Sequence, residues 1–469
     1  MKKLFKPFLL IVVLGVFYSL FSLKDKNIFT PIGMYKICLK HPFIDKITGC
    51  KEYFSSKLKL YRWINPKDET SLINKMEFQK TVISSSKEEI PDTLIKILNF
   101  SSKSNQELGI NKLTQNPLYY FSETYTTFSE KYVTPPVYFY TIKDTSIFIG
   151  NDTRKFLVFK NGFYTLMGRG NDSLERILSK LIEKEDVFYE EENRNIYFVK
   201  DFTELPEIKN KTVFFHGDWN LYHLIMEPSP GLLLINDSDY KINLSYSSKQ
   251  NTDVVEALGN PYIIPTKLFS LERFSELIIP SPILEDNAHF PNIELMNKLI
   301  KKLQINFSEK TKITSLGKKI YVSRSDASRR KVLNELELME HLEKRGFKMV
   351  IPGKYSVADQ SKLFEEAEII IGPHGMGLTN ILFSNNLKTV IELFPTTWYP
   401  NCYLRTAQVK GVKNYYGLFH DAADPHTEKI FKILNFDFNF NIPEIDKILD
   451  SDFNVNIPEI IKILDELEE

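Results

Sequence analysis

An α/β fold built on a parallel sheet is what this sequence predicts for its second half, and two observations predict it. Between residues 319 and 418, short runs rich in Ile, Val and Tyr alternate with longer segments of helical period, the pattern of βαβ units. Within that pattern, the stretch Ile369-Ile-Ile-Gly-Pro-His-Gly-Met-Gly-Leu-Thr-Asn-Ile-Leu-Phe383 reads as a buried strand, a glycine turn and a helix start. A turn of this kind puts bare N–H groups at the C-terminal edge of the sheet, where anions bind. The spacing is neither the dinucleotide pattern nor a P-loop, which needs a Lys. Glycines that only permit close packing are the competing reading.

The elements of this half follow in order. Lys319–Ser323 is a strand, and Asn334–Arg345 a helix with Leu336, Met339 and Leu342 on one face. Phe347–Ile351 is a strand, Val357–Ala367 a helix capped by Ser356, and Glu368–Ile371 the strand before the glycine turn. The helix over Leu378–Phe383, the strand Thr389–Phe394, the helix Leu404–Lys410 and the strand Asn414–Leu418 complete a Rossmann-like domain over 311–425.

The first half is less regular. Val137–Ile142, Ile147–Ile149, Phe156–Phe159 and Phe163–Met167 read as successive strands with turns at Asn-Asp and Asn-Gly. Ser173–Lys184 is a helix, Val213–His216 a short strand, and Tyr222–Met226 begins a helix limited by Pro228 and Pro230. These elements lie in a domain over 76–310, preceded by a polar stem over 24–75. At the N-terminus, Lys2, Lys3 and Lys6 precede an uncharged run from Phe8 to Leu23. That pattern predicts a signal anchor over 1–23, single-pass, with its N-terminus inside and the body outside the cytosol. The segment 426–469 is a helical tail in which Phe438-Asn-Phe-Asn-Ile-Pro-Glu-Ile-Asp-Lys-Ile-Leu-Asp450 recurs as Phe453-Asn-Val-Asn-Ile-Pro-Glu-Ile-Ile-Lys-Ile-Leu-Asp465. Two copies are too few for a solenoid, so the tail reads as a duplicated appendage without a catalytic part.

Composition narrows the partners. With 60 basic and 60 acidic residues among 469, nothing asks for nucleic acid. Cys38, Cys50 and Cys402 are too few for a disulfide framework. No Cys/His metal spacing is present, although Asp237-Ser-Asp239 has the form of an Asp-x-Asp cation triplet.

Three clusters carry the chemistry. In Tyr321-Val-Ser-Arg-Ser-Asp-Ala-Ser-Arg-Arg-Lys-Val-Leu-Asn-Glu335, Arg324 lies just past a strand end on the edge that carries the glycine turn, and Arg329 and Arg330 follow in the loop. Forked donors at such an edge suit a phosphate; a solvated surface loop is the plainer alternative. Asn334-Glu335 can cap the next helix. The glycine turn with His374 is the second cluster. The third is Glu392 near the end of its strand, placed to accept from ribose hydroxyls or to stand as a loop charge.

These residues together resemble glycosyltransferase family 61, most closely over 319–419: Tyr-Val-Ser-Arg, then Arg and Asn-Glu, Gly-Pro-His-Gly-Met-Gly-Leu-Thr-Asn, and Val-Ile-Glu-Leu-Phe-Pro. A weaker likeness covers Asn220-Leu-Tyr-His-Leu-Ile-Met-Glu-Pro-Ser-Pro230, which has Glu227 where an Asp is usual and Leu224 for Trp. The resemblance implies a GT-B-like fold of two facing Rossmann-like domains. It implies inverting, metal-independent transfer from a nucleotide donor, a UDP-sugar above others, to a glycan, glycoprotein or polysaccharide acceptor. The nucleotide sugar is then co-substrate and no cofactor is needed. Donor-side residues are Arg324, Arg329, His374, Gly375, Gly377, Leu378, Thr379, Asn380 and Glu392; His223 and Glu227 are the acceptor-side pair, either of which can be the base, with Glu227 favoured. Such a body faces the Golgi or ER lumen in a eukaryote and the cell envelope in a bacterium. The alternative is a non-catalytic sugar-nucleotide or glycan-binding protein of the same fold. An acyl hydrolase would need a G-x-S-x-G elbow, which is missing.

Overall fold

The structure is a computed structural model describing residues 61–66, 74–101, 104–108, 128–150, 155–168, 174–183, 187–190, 194–198, 204–235, 240–244, 248–259, 263–265, 268–284, 288–396, 400–421, 423 and 451–469. It divides into two compact units, each assembled from separate stretches of sequence.

The first unit takes in the described residues up to Thr81 together with Tyr140–Thr212 and Thr266–Ile278. Its sheet is mostly antiparallel. Tyr61–Ile64 pairs with Asn195–Phe198, which pairs in turn with Val187–Glu190. Lys155–Lys160 runs antiparallel to Phe163–Gly168. Asn161 and Gly162, with φ of 53° and 77°, make the tight Asn-Gly turn read from the sequence. The two expected strands around residue 144 are one, Val137–Phe148, with Asp144 at φ 46° inside it. The expected helix is present at Leu174–Glu183 and packs Ile177, Leu178 and Leu181 against Leu157, Phe159 and Tyr164.

The second unit comprises Val82–Phe139, Val213–Pro265 and Ile279–Glu469. Its sheet contains β1 (Leu94–Ser101), β2 (Ser104–Leu108), β3 (Lys319–Val322), β4 (Lys348–Val350), β5 (Ile369–Pro373), β6 (Thr389–Pro395) and β7 (Asn414–His420). The order is β4-β3-β5-β6-β7-β1-β2. Every pairing is parallel except β1 with β2. The connections are α4 (Glu335–Glu343), α5 (Val357–Phe364), a 3-10 helix at Met376–Phe383 and α6 (Cys402–Val409). The α/β reading with a parallel sheet therefore holds. Ser356 caps α5 as expected, accepting from the Asp359 amide at 3.1 Å. The segment after the glycine turn winds as a 3-10 helix and begins two residues earlier than the pattern suggested.

Three features of this unit were not read from the sequence. β1 comes from far upstream and joins β7 in register from Leu94 opposite Asn414 to Asn99 opposite Phe419. Helices α2 (Lys249–Ala257) and α3 (Ile293–Ser308) are not among the expected elements, although Met296, Leu299, Ile300, Leu303 and Phe307 give α3 a clear buried stripe. The second copy of the tail repeat forms its expected helix, α7 (Ile457–Glu468), but Ile457, Ile460, Ile463 and Leu464 are buried in one core with Leu338, Leu342, Ile371 and Ile391. It is part of the core and not an appendage. The first copy lies outside the described residues, as do Cys38, Cys50, Asp237, Asp239 and the run Phe8–Leu23. Among the described residues no helix is long and apolar enough to cross a membrane.

Candidate functional site

The site is built where β3 and β5 end side by side. Tyr321 stands opposite Ile371 in the parallel register, so the chain leaves β3 toward Arg324 beside the turn that leaves β5 toward Gly375. The Arg324 guanidinium lies directly over the bare Cα of Gly375: a Cβ there would stand 1.6 Å from Nη1. Gly375 has φ 162°, an extended value open to any residue, so it is glycine to admit Arg324 and not to permit its backbone. Gly377 and Gly372 admit Val322 in the same way, with Cβ positions 2.8 and 2.9 Å from its side chain. The glycines thus allow close packing, as the competing reading of the turn has it, and at Gly375 the packed group is a cation.

Further bonds fix the turn. Asn380, fully buried, donates to the Gly377 carbonyl at 3.0 Å and to Gln360 Oε1 at 2.9 Å. Leu378 and Thr379 are also fully buried. These three residues shape the turn from behind. On the facing loop, Arg324 Nη2 donates to the Arg329 carbonyl at 3.2 Å. Arg329 itself is exposed, whereas Arg330 is half-buried in the left-handed region at φ 58°. The positive field felt by His374 and Glu392 includes Arg330 in both cases. The sequence places both arginines in the loop suited to a phosphate but only Arg329 among the donor-side residues; neighbours in a loop cannot be told apart without their backbone angles.

Glu392 is on β6, the strand between β5 and β7, all of whose residues are buried. Its exposure is 0%, and its oxygens meet His374 Nδ1 and the Tyr415 hydroxyl, each at 2.5 Å. The carboxylate expected at a ribose is here engaged by protein groups. Burial pushes the Glu392 carboxyl well above its usual range, against the Tyr415 hydrogen bond and the Arg330 charge. Burial, then the charges of Arg330 and Arg324, hold the His374 imidazole well below its usual range, hence neutral. The His374 ring stacks on Phe394 at 5.4 Å. Asn334 makes no side-chain cap to α4; its amide is spent on the tail. Glu335 instead accepts from the Tyr321 and Ser323 hydroxyls, both at 2.9 Å, tying the start of α4 to the end of β3.

His223 and Glu227, the pair expected on the acceptor side, lie in the same compact unit. Asn220 caps α1 (Leu221–Met226), accepting from the Tyr222 amide at 3.0 Å, and Asp218 accepts from the Asn220 amide at 2.7 Å. The loop is held by Asn251 of α2, which bonds both the amide and the carbonyl of Asp218 at 3.0 Å. Their four-residue spacing brings His223 and Glu227 together, with Nδ1 and Oε1 2.8 Å apart. Glu227 is 4% exposed, while the His223 side chain is 23% exposed. The imidazole is therefore the face of the pair that a substrate can reach.

α1 rests on the glycine turn. The Leu221 amide donates to Met376 Sδ at 3.2 Å, at the position between the two glycines. Three ring contacts link the two histidines: His374 to Tyr403 at 5.0 Å, Tyr403 to Tyr222 at 5.2 Å, and Tyr222 to His223 at 5.3 Å. The Tyr222 hydroxyl donates to the Ala288 carbonyl at 2.6 Å. His223 and Arg324 are thus parts of one packed assembly. Among the described residues, no three His, Cys, Asp or Glu side chains converge as a metal site.

Residues 221–391 match the Glycosyltransferase 61 family, a span that opens on α1 and closes inside β6. The chain is also similar to the EGF domain-specific O-linked N-acetylglucosamine transferase of Drosophila melanogaster, 32% identical over 121 residues. That alignment covers 24% of this chain and 22% of the relative, so about a fifth of the relative's length is spanned.

Proposed function

We propose, of a chain whose residues 221–391 belong to glycosyltransferase family 61, that it moves a sugar from a nucleotide donor to an acceptor hydroxyl on a glycan or glycoprotein, with inversion and without a metal ion. The observation that carries this reading is the Arg324 guanidinium seated against Gly375 where a strand, a glycine turn and a helix start meet. A diphosphate placed there would face Arg324, Arg330 and the N–H groups opening the 3-10 helix. His223 accepts the proton of the acceptor hydroxyl while that oxygen attacks the anomeric carbon from the face opposite the nucleotide. The anomeric C–O bond breaks, and the electron pair leaves with the diphosphate, whose charge the arginines stabilise. Glu227 accepts from His223 Nδ1–H and keeps Nε2 as the basic atom.

The sequence favoured Glu227 as the base. The assignment is reversed here because Glu227 is the buried partner and His223 the accessible one. Glu392 plays the matching part behind His374. In this reading Phe8–Leu23 anchors the body to a membrane on the side away from the cytosol. The relative's name makes N-acetylglucosamine the first sugar to try, and the expected UDP-sugar donor makes UDP the first nucleotide. Calorimetry of UDP with the parent and with Arg324→Ala tests the donor side. The variant is expected to lose about 1.5–3 kcal/mol of binding, the scale of a hydrogen bond to a charged group. Equal affinity of the two proteins would overturn the assignment.

A further inference from the structure

The arginine loop between β3 and α4 has no regular structure of its own, yet it holds Arg330 in a left-handed conformation that side-chain-bearing residues avoid. Something must fix it. Immediately after Arg330, four consecutive residues are bonded to the C-terminal tail. The Lys331 amide donates to Asp452 Oδ1 at 2.8 Å, and the Lys331 carbonyl accepts from the Phe453 amide at 3.0 Å. Val332 bridges Phe453 in parallel, and the Leu333 amide donates to the Phe453 carbonyl at 2.8 Å. Asn334 then binds both polar groups of the Val455 backbone, at 2.9 and 3.0 Å.

The tail is itself anchored away from the loop. Phe453 is fully buried and stacks on His420, whose Nδ1 accepts from the Asn456 amide at 3.3 Å. Arg345 pairs with Asp465 and Glu468, and Lys319, at the start of β3, pairs with Glu468. The loop is therefore held from its far side by a tail packed into the core.

We infer that Asp452–Val455 is a positioning clamp: by holding the backbone of Lys331–Asn334 it sets where Arg330 and the neighbouring Arg324 present their charge to the donor diphosphate. The inference rests on the donor reading above. It gives the second tail repeat a part in the reaction, although no tail residue touches substrate.

The test uses the full chain. Asp452→Ala removes the acceptor for the Lys331 amide, whereas Asp452→Asn retains one. The expected result is a rise of about tenfold in the UDP dissociation constant for Asp452→Ala, the factor one such bond supplies. Asp452→Asn should stay within about twofold of the parent, a rescue that a general loss of stability would not give. Asp437 holds the corresponding place in the first repeat, so the double variant Asp437→Ala/Asp452→Ala excludes substitution of one copy for the other. Hydrogen exchange provides a readout independent of ligand: Lys331 and Leu333 amides should exchange faster in Asp452→Ala while β5 and β6 stay protected. Parent-like UDP affinity in the double variant, or unchanged exchange at Lys331 and Leu333, overturns the clamp. Failure of the parent to bind UDP, GDP or CMP overturns the donor reading and the clamp with it.

Discussion

Replacing Gly375 by Ala separates the two tasks of the glycine turn. The new Cβ would stand 1.6 Å from Arg324 Nη1 and 2.6 Å from Cζ, so the guanidinium must leave. It can do so, because the clashing atoms are the far end of a flexible side chain and because φ 162° suits Ala. The hydrogen bond from Nη2 to the Arg329 carbonyl goes with it. Little of the core is disturbed, and unfolding should change by no more than about 1 kcal/mol. Donor binding should lose about 1.5–3 kcal/mol, or roughly 10- to 150-fold in affinity. Gly377→Ala is the contrast. Its Cβ meets Val322 Cγ1 at 2.8 Å and Pro352 Cγ at 3.2 Å, packed groups with no exit. Overpacking there should cost about 1–3 kcal/mol of stability. Denaturant unfolding and UDP calorimetry on both variants measure the two quantities. Parent-like UDP affinity in a folded Gly375→Ala would show that Arg324 does not hold the donor.

Stability of the full chain should fall below neutral pH through His420. Burial holds its imidazole down to about 3, with Asp421 pulling weakly the other way, while an unfolded His titrates near 6.5. Between those values the unfolded chain binds a proton that the folded one refuses. Stability therefore rises with pH across that window, by at most about 1.4 kcal/mol per pH unit from this group. Unfolding at pH 7 and pH 5 should show the loss, and His420→Asn should shrink it. His223→Asn should lower the transfer rate by about a hundredfold to ten-thousandfold with UDP affinity retained, and Glu227→Gln by less, in stopped transfer assays. Transfer should persist in excess EDTA; complete loss restored by manganese would refute metal independence.

Much of this architecture is visible in the chain because it is local. The Ile369–Ile371 run, the glycines after it and the helical periods on either side each announce themselves within a few residues. The meeting of Arg324 with Gly375 followed from one further rule, that parallel strands end on a common edge. What was missed depends on distance or on dihedrals. β1 pairs with β7 across most of the chain, and no local signal marks that choice. Glu392 sits on a strand covered on both faces, so its carboxylate had to find His374 and Tyr415. Arg330 differs from Arg329 through a positive φ that no composition rule predicts. Asn334 looked like a helix cap because Asn commonly is one, but the tail competes for the same amide. The stripe of α3, by contrast, is local and legible in the chain.

The most direct test of the central claim is transfer itself. The full-length protein is incubated with a UDP-sugar, UDP-N-acetylglucosamine first, and a panel of glycan and glycoprotein acceptors, and the products are resolved by mass spectrometry with their anomeric configuration. The expected products are a glycosylated acceptor of inverted configuration and one UDP released per sugar moved, both lost in the double variant His223→Asn/Arg324→Ala. Nucleotide binding without transfer to any acceptor, or transfer undiminished in that double variant, would contradict it.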